Sequence, residues 1–286
     1  MKFNEITIGI VTFKSEKVIF KCLKSIKKIK KIIILDNSND IELKKKIKKK
    51  YPKIRIILSK KNLGYGDGNN KIIKVAKTPY VFILNPDTIL HNDCEKQLLE
   101  SLNIVKRNFA ILAPFEKSIN YGYFQNDNKY NKVKENEFNV DFVKGFALLI
   151  NKYKFKKIGM FDKNYFLYLE EIDLCRRLKL ANEKIFISKK SKISHLGAKS
   201  TNIGLEFEKC RNWHWMWSNV YYERKFYTNL ITYPKFTLKL LKELFKFLIY
   251  NLISNTNKKI IIQMRFLGIL NGLLCKKSSY RPNLNL

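Results

Sequence analysis

Residues 6–36 read ITIGIVTFKSEKVIFKCLKSIKKIKKIIILD. Ile6–Thr12 is a short β-branched run that ends on a polar residue, and Glu16–Lys28 is a charged segment of helical period. Lys31–Leu35 is a second β-rich run. Strand, helix and strand in that order form a βαβ unit, whose two strands lie parallel in one sheet. Working outward, the same alternation continues through a helix near Ile41–Lys50, a strand at Ile54–Leu58, a helix near Gly66–Lys77 and a strand at Tyr80–Leu84. A helix near Asp93–Lys106 and a strand at Phe109–Ala113 follow. The fold class is α/β, a doubly wound, mainly parallel sheet. In such sheets ligands sit beyond the carboxyl ends of the strands. Three of those ends carry polar residues: Thr12, then Asp36-Asn37-Ser38, then Asn85-Pro86-Asp87.

Further along, residues 120–139 are rich in Asn, Lys and Tyr and read as a loop or hairpin, with a lid over the site as one reading. Asp141–Ile150 reads as a buried strand interrupted by Gly145, and Tyr168–Leu180 as a helix with acids at its start. After Pro234, Lys235, Lys239, Lys242, Glu243 and Lys246 recur beside Leu238, Leu241, Leu244, Phe245 and Leu248. That pattern is an amphipathic helix with a basic stripe. A second apolar segment, Ile260–Leu274, is interrupted by Gln263, Arg265 and Asn271, so neither segment is suited to crossing a bilayer. The expected division is a catalytic-type domain over 1–232 and C-terminal amphipathic helices over 233–286.

The 286 residues, 45% of them hydrophobic, suffice for a sizeable core. Lys and Arg exceed Asp and Glu to give a net charge of +33, which favours anionic partners such as nucleotides or an anionic lipid surface. Only eight of the cations are Arg, the type suited to base and bidentate phosphate recognition, which argues against a specific nucleic-acid reader. The five cysteines are scattered without a Cys-x-x-Cys pair, consistent with a reducing cytoplasm and no structural zinc. The apolar run near Met1 is too short for a signal-peptide core and reads as the first strand.

Asp87 follows a strand behind Pro86, where a carboxylate faces the ligand region. Such an acid suits Mg²⁺ or Mn²⁺ bridging two phosphates, and equally a turn or helix cap. Asn62-Leu63-Gly64-Tyr65-Gly66-Asp67-Gly68-Asn69-Asn70 is a glycine-rich loop opening a helix, able to present backbone N–H groups to an anion. Glu170, Glu171 and Asp173 crowd one helix start; like charges there raise a carboxyl pKa toward that of a general base, or simply offset the helix dipole. His195 reads as a metal or diphosphate ligand or as a structural histidine. Trp213 and Trp217 share a helix face while Trp215 points away, leaving core, sugar-stacking and interfacial roles open.

Taken in order, these segments resemble the family 2 glycosyltransferases of the GT-A fold, especially a bacterial rhamnosyltransferase-like branch. The matching pieces are Ile10-Val11-Thr12-Phe13, Leu35-Asp36-Asn37-Ser38, Asn62-Leu63-Gly64 with Gly68-Asn69, and Leu84-Asn85-Pro86-Asp87. They continue through Lys144-Gly145-Phe146-Ala147, Ile158-Gly159-Met160-Phe161-Asp162, residues 166–177 and His195-Leu196-Gly197-Ala198-Lys199-Ser200. The resemblance implies a GT-A nucleotide-diphospho-sugar fold and an inverting transfer. It implies donor contacts at Thr12, Asp36, Asn37, Asn62, Gly64, Asn69 and Asn85, a divalent cation at Asp87 and His195, and a general base at Glu171 with Glu170 beside it. Where the family commonly has Asn after the Thr-aromatic pair, this chain has Lys14; Asn85 stands for the first acid of the metal motif.

The expected partners are a dTDP- or UDP-sugar donor, a glycan or lipid-linked acceptor in cell-surface polysaccharide synthesis, and an anionic membrane at its cytoplasmic face. Two rivals remain at this stage. A sugar nucleotidyltransferase would need a basic glycine-rich first loop, which Thr12-Phe13-Lys14-Ser15 does not supply. A non-enzymatic basic protein binding membrane or nucleic acid would need only the charge.

Overall fold

The computed structural model describes residues 2–106, 108–116, 132–134, 137–196, 204–252 and 256–282. Its first elements follow the alternation: β1 (Ile6–Thr12), α1 (Glu16–Ser25), β2 (Lys31–Asp36), α2 (Ile41–Lys50), β3 (Arg55–Leu58), α3 (Gly64–Val75) and β4 (Tyr80–Leu84). Then come β5 (Thr88–Leu90), α4 (Cys94–Ile104), β6 (Ile111–Glu116), β7 (Lys132–Lys134), β8 (Glu137–Asn139), β9 (Ala147–Asn151), α5 (Lys152–Lys157), α6 (Glu170–Leu180) and β10 (Ile185–His195). Three helices close the chain: α7 (Leu205–Phe226), α8 (Asn229–Leu252) and α9 (Thr256–Leu273). The chain divides into two compact units, residues 1–162 with 171–201, and residues 163–170 with 202–286.

The first unit is built on one mixed sheet in the order β3-β2-β1-β4-β9-β6-β10-β8-β7, with β5 paired to β10. Strands β1 to β4 are mutually parallel where they pair, as the βαβ pattern requires. Strand period 2 sends Ile6, Ile8 and Ile10 to one face, where they pack with Ile19, Leu43, Leu98 and Leu102 from α1, α2 and α4. The other face, including Ile33, Leu35, Val81 and Ile83, is covered by Ile72 of α3, Phe155 of α5 and Leu174 and Leu178 of α6. This is the two-sided helix cover of a doubly wound α/β fold. Gly9 matters here because a Cβ on it would lie 2.8 Å from Ile72 Cγ2, so α3 packs directly on the strand backbone.

The sheet departs from the sequence reading at β9. That strand is antiparallel to both β4 and β6 and sits between them, whereas β10 runs parallel to β6. The buried strand expected over Asp141–Ile150 starts only at Ala147, because the preceding backbone is engaged elsewhere: Phe146 O accepts bonds from Asn85 N at 2.8 Å and Thr88 Oγ1 at 3.2 Å. Of the polar stretch 120–139, residues 120–131 lie outside the described residues; β7 and β8 form an antiparallel hairpin joined to β10.

In the second unit, Gly268 and Gly272 bring α9 against α7. A Cβ at Gly272 would stand 2.7 Å from Val220 Cβ, and one at Gly268 would collide with the Trp213 carbonyl. Met216, Val220, Phe236 and Ile269 form the core of this unit. Helix α8 begins at Asn229 rather than after Pro234, which lies inside it. The buried Thr232 and Phe236 on either side of the proline hold the first turns in place. Trp213 and Trp217 are buried and stacked 6.3 Å apart, while Trp215 is 43% exposed.

Among the described residues the five cysteines are free. Burial pushes the Cys22, Cys94, Cys175 and Cys210 thiols up to about 12, so they pack as small apolar groups rather than as nucleophiles.

Candidate active site

The carboxyl ends of β1 and β2 are tied together by polar side chains. Thr12 Oγ1 donates to Asp36 Oδ1 at 2.9 Å, and Asp36 also accepts from Ser38 Oγ at 2.7 Å and, through Oδ2, from Asp40 N at 2.7 Å. Thr12 and Asp36 are 0% and 2% exposed, so these bonds meet the demand for paired buried polar groups. Asn37 clamps the start of α3: its Nδ2 donates to Gly64 O at 3.0 Å and its Oδ1 accepts from Leu63 N at 3.1 Å. Asn62 Oδ1 accepts from Gly64 N at 3.0 Å, and Gly64 has φ 76, a conformation glycine adopts without strain. Asn69 lies one turn into α3, fully buried; its Nδ2 donates to Tyr65 O at 3.0 Å, and its Oδ1 has no hydrogen-bond partner among the described residues. Lys14, exposed at the same mouth, has φ 49, a left-handed conformation that Asn tolerates better than Lys.

Asp87 behaves differently from Asp36. It is 1% exposed, and among the described residues neither carboxylate oxygen receives a hydrogen bond. His195 stands beside it, with Nε2 to Oδ1 at 3.3 Å. Backbone pairing fixes this approach: His195 stands opposite Thr88 in the β10–β5 ladder, and Leu196 N donates to Asp87 O at 3.2 Å. The Phe146 ring stacks on His195 at 4.7 Å between centroids and holds the imidazole plane. Asn85 forms the turn before Asp87, with Thr88 N bonded to Asn85 O at 3.1 Å. A buried carboxylate with no donor is costly unless a ligand completes it. A hard cation takes carboxylate oxygens and, less often, imidazole nitrogen, so the pair fits a divalent ion. Among the described residues no group of three or more His, Cys, Asp or Glu is placed to hold a metal ion between them.

The acidic cluster at α6 is not a set of three equivalents. Asp173 is fully buried and bound to Arg177 Nε at 2.7 Å, and that guanidinium also donates to Ile158 O at 2.8 Å and Met160 O at 2.7 Å. It anchors the 158–162 turn rather than adding a free charge. Glu170 is buried at 5% exposure, while Glu171 is half-buried. Desolvation raises the Glu171 carboxyl above its ordinary range; backbone N–H groups and the positive charge of Lys144 act in the opposite sense. Tyr168 and Leu169, immediately before these acids, have φ 70 and 66, a strained backbone for side chains of that size. In the second unit this segment is fastened to α7 by Ser218 Oγ to Leu167 O at 2.8 Å and Arg211 Nε to Tyr168 Oη at 2.7 Å.

Three contributors went unnoticed as site residues in the sequence. Tyr65 of the glycine-rich loop donates its hydroxyl to Gly145 O. Gly145 is itself enclosed, since a Cβ there would lie 3.2 Å from the Tyr65 hydroxyl and 3.6 Å from Glu171 Cβ. Phe146 orders both the Asn85 turn and the His195 ring. The Lys144-Gly145-Phe146-Ala147 motif was the available signal. Gly197-Ala198-Lys199-Ser200, also part of the resemblance, lies outside the described residues.

A family model described as glycosyl transferase family 2 matches residues 7–175. The hexosyltransferase Agl10 of low-salt glycan biosynthesis in Haloferax volcanii is 26% identical over 200 residues, covering 64% of each chain. The rhamnosyltransferase WbbL of Escherichia coli is 28% identical over 186 residues, covering 54% of this chain and 68% of that protein. This chain thus spans roughly two thirds of the length of either relative, and slightly less for the first. Among solved structures, the mannosyltransferase PcManGT from Pyrobaculum calidifontis, in complex with GDP-Man and Mn²⁺, aligns with a TM-score of 0.61 at 9% identity. That alignment covers 96% of this chain and 88% of the mannosyltransferase, and it shows a shared GT-A fold.

Proposed function

The chain belongs to glycosyl transferase family 2, and from that premise we propose that it is an inverting glycosyltransferase moving a hexose, rhamnose-like or other, from a nucleoside-diphosphate sugar to a glycan or lipid-linked acceptor. The donor would be a dTDP- or UDP-sugar, and the setting cell-surface polysaccharide synthesis at the cytoplasmic face of the membrane. The observation that carries this reading is Asp87, a buried carboxylate that among the described residues has no hydrogen-bond donor and lies 3.3 Å from His195, just after a strand.

In this reading the Thr12–Asp36 pair and the Asn37–Gly64 clamp hold the nucleoside, with Asn62, Asn69 and Asn85 completing the donor contacts. Asp87 and His195 would hold Mg²⁺ or Mn²⁺, which supplies electrophilic stabilisation of the departing diphosphate. Glu171 accepts the proton of the acceptor hydroxyl as that oxygen attacks the anomeric carbon; the bond to the diphosphate breaks on the opposite side and the configuration inverts. Its raised pKa makes it the stronger proton acceptor once ionised, and its greater exposure favours it over Glu170 as the base. We place the catalytic work in residues 1–232 and membrane contact in 233–286.

The test is a donor screen. UDP- and dTDP-sugars are scored, with and without Mn²⁺, by protection against thermal unfolding and by release of nucleoside diphosphate. A protective donor whose effect needs the cation supports the assignment. Equal indifference to every sugar nucleotide, together with tight salt-sensitive DNA binding, would return the basic-protein rival.

A further inference from the structure

Helix α8 packs with the face that its apolar pattern alone would not single out. Thr232, Phe236 and Glu243 are buried, and Phe236 enters the core formed with Met216, Val220 and Ile269. Glu243 is bound there by Arg265, Nε to Oε2 at 3.1 Å and Nη2 to Oε1 at 2.9 Å. Leu240 packs against that core, whereas other apolar residues are left outside: Leu230 is 87% exposed, Leu238 70%, Phe245 65%, Leu241 55%, Leu248 54% and Ile249 37%. At 3.6 residues per turn, Leu230, Leu238, Leu241, Phe245 and Leu248 fall within an arc of about 80°. Lys235, Lys239, Lys242 and Lys246 occupy the next arc of about 60°. An exposed apolar stripe of this size on a protein of high charge marks an interaction surface.

We propose that this stripe of α8 lies in the interface of an anionic phospholipid bilayer, with Leu238, Leu241, Phe245 and Leu248 seated at the acyl boundary and the flanking lysines among the headgroup phosphates. No helix of the described residues is long and apolar enough to cross a membrane, which fits a helix lying in the interface plane. Charge selects lipid over a second copy of the chain: the one acid of α8, Glu243, is turned inward, so two stripes brought together would oppose two lysine rows in a protein of net charge +33. The inference sharpens the membrane-face part of the proposed function and rests on that part alone.

The test uses the full chain, sedimented with phosphatidylglycerol–phosphatidylethanolamine vesicles and, in parallel, with phosphatidylcholine vesicles. The wild-type protein is expected to bind the anionic vesicles strongly and the neutral ones weakly. Leu241→Ser with Phe245→Ser should weaken binding about tenfold or more, from loss of apolar burial. Lys242→Gln should weaken it about fivefold and flatten its salt dependence; Lys235 is already paired with Glu223 at 2.8 Å and is left unchanged. If the double serine variant loses thermal stability, Leu238→Ser makes the same measurement at a single exposed residue. Absence of vesicle binding, or equal binding to both vesicle types, overturns the proposal. So does a wild-type dimer in sedimentation velocity that Phe245→Ser dissociates while vesicles bind neither form. Vesicle binding needs no donor, so its failure is distinct from failure of transfer to a soluble acceptor, which the serine variants should retain.

Discussion

Replacing Asp87 by Asn keeps the side chain's shape and removes a charge that the fold holds at 1% exposure with no donor to either oxygen among the described residues. An ordinary structural aspartate is held by such donors, and its loss as a helix or turn cap costs about 1 kcal/mol. Asp87 has the opposite balance, because burying an unsatisfied polar group costs about 1–3 kcal/mol and a charge costs more. Among the described residues the ion-pair contact to it is His195 Nε2 at 3.3 Å. Asp87→Asn should then stabilise the ligand-free protein by about 1–3 kcal/mol, at roughly 2–4 °C in melting temperature for each kcal/mol. The same substitution should remove the response to cation. With Mn²⁺ and donor near a hundredfold above the dissociation constant, the wild-type protein gains about 2.7 kcal/mol and the variant close to nothing. Thermal unfolding of both proteins, with and without Mn²⁺ and donor, reads all four numbers. A lower melting temperature for the ligand-free variant would mean that Asp87 is a cap, and an equal Mn²⁺ response in both would place the cation elsewhere.

His195→Ala should weaken the Mn²⁺ response less than Asp87→Asn does; a fall in stability with that response intact would make His195 structural. Glu171→Gln should leave donor protection intact and lower transfer roughly 10²–10⁴-fold, with Glu170→Gln as the control. Because Glu171 has a raised pKa in the folded protein, its carboxyl favours folding at pH below the ordinary glutamate value, and that contribution is lost as pH rises through the raised one. The acidic limb of transfer should accordingly sit above the usual glutamate range, and Glu171→Gln should be the more stable protein at pH 8, both read from pH profiles of rate and melting. Gly145→Ala should reduce the maximal rate with little change in melting, since its Cβ would press on Tyr65 and on Glu171; an unchanged rate would show that the contact yields. Gly268→Ala should destabilise the protein by about 1–3 kcal/mol in denaturant unfolding, because the clash is with the Trp213 backbone and cannot be relieved by a rotamer change.

Strands β1 to β4 and the helices between them were legible because each is a local pattern: a β-branched run, then a helical period, with polar residues at the strand ends. The same locality identified Thr12, Asp36, Asn37 and Asp87 as residues at one mouth. Local periodicity could not reveal which side of α8 packs. An apolar stripe predicts burial, yet Phe236 and Glu243, the latter paired with Arg265 from another helix, define the packed face instead. Nor could it separate Asp173 from Glu170 and Glu171, since the arginine that engages Asp173 is recognisable only once its other bonds, to Ile158 and Met160, are in place. Strand β10 was obscured by Lys189, Lys190 and Lys192, which interrupt the apolar alternation near a register shift between Ser188 and Lys192.

The insertion of β9 explains why one part of the candidate site is not reached by the rule that brings the other candidates together. In a parallel sheet the residues following each strand reach the ligand mouth, and that rule finds Thr12 after β1, Asn37 after β2 and Asp87 after β4. It also holds for β10, which is parallel to β6 and antiparallel to β5, and so brings His195 at its end opposite Thr88. Strand β9 runs the other way, with Ala147 paired to Leu84 and Asn151 to Tyr80. Its beginning, not its end, therefore stands beside the end of β4. Lys144, Gly145 and Phe146, read from sequence as the middle of a strand, become mouth residues by that reversal: Lys144 as a charge acting on Glu171, Gly145 as the acceptor for Tyr65, and Phe146 as the support of Asn85 and His195. The direction of a strand is set by its partners, and the residues at its two ends exchange roles when that direction changes.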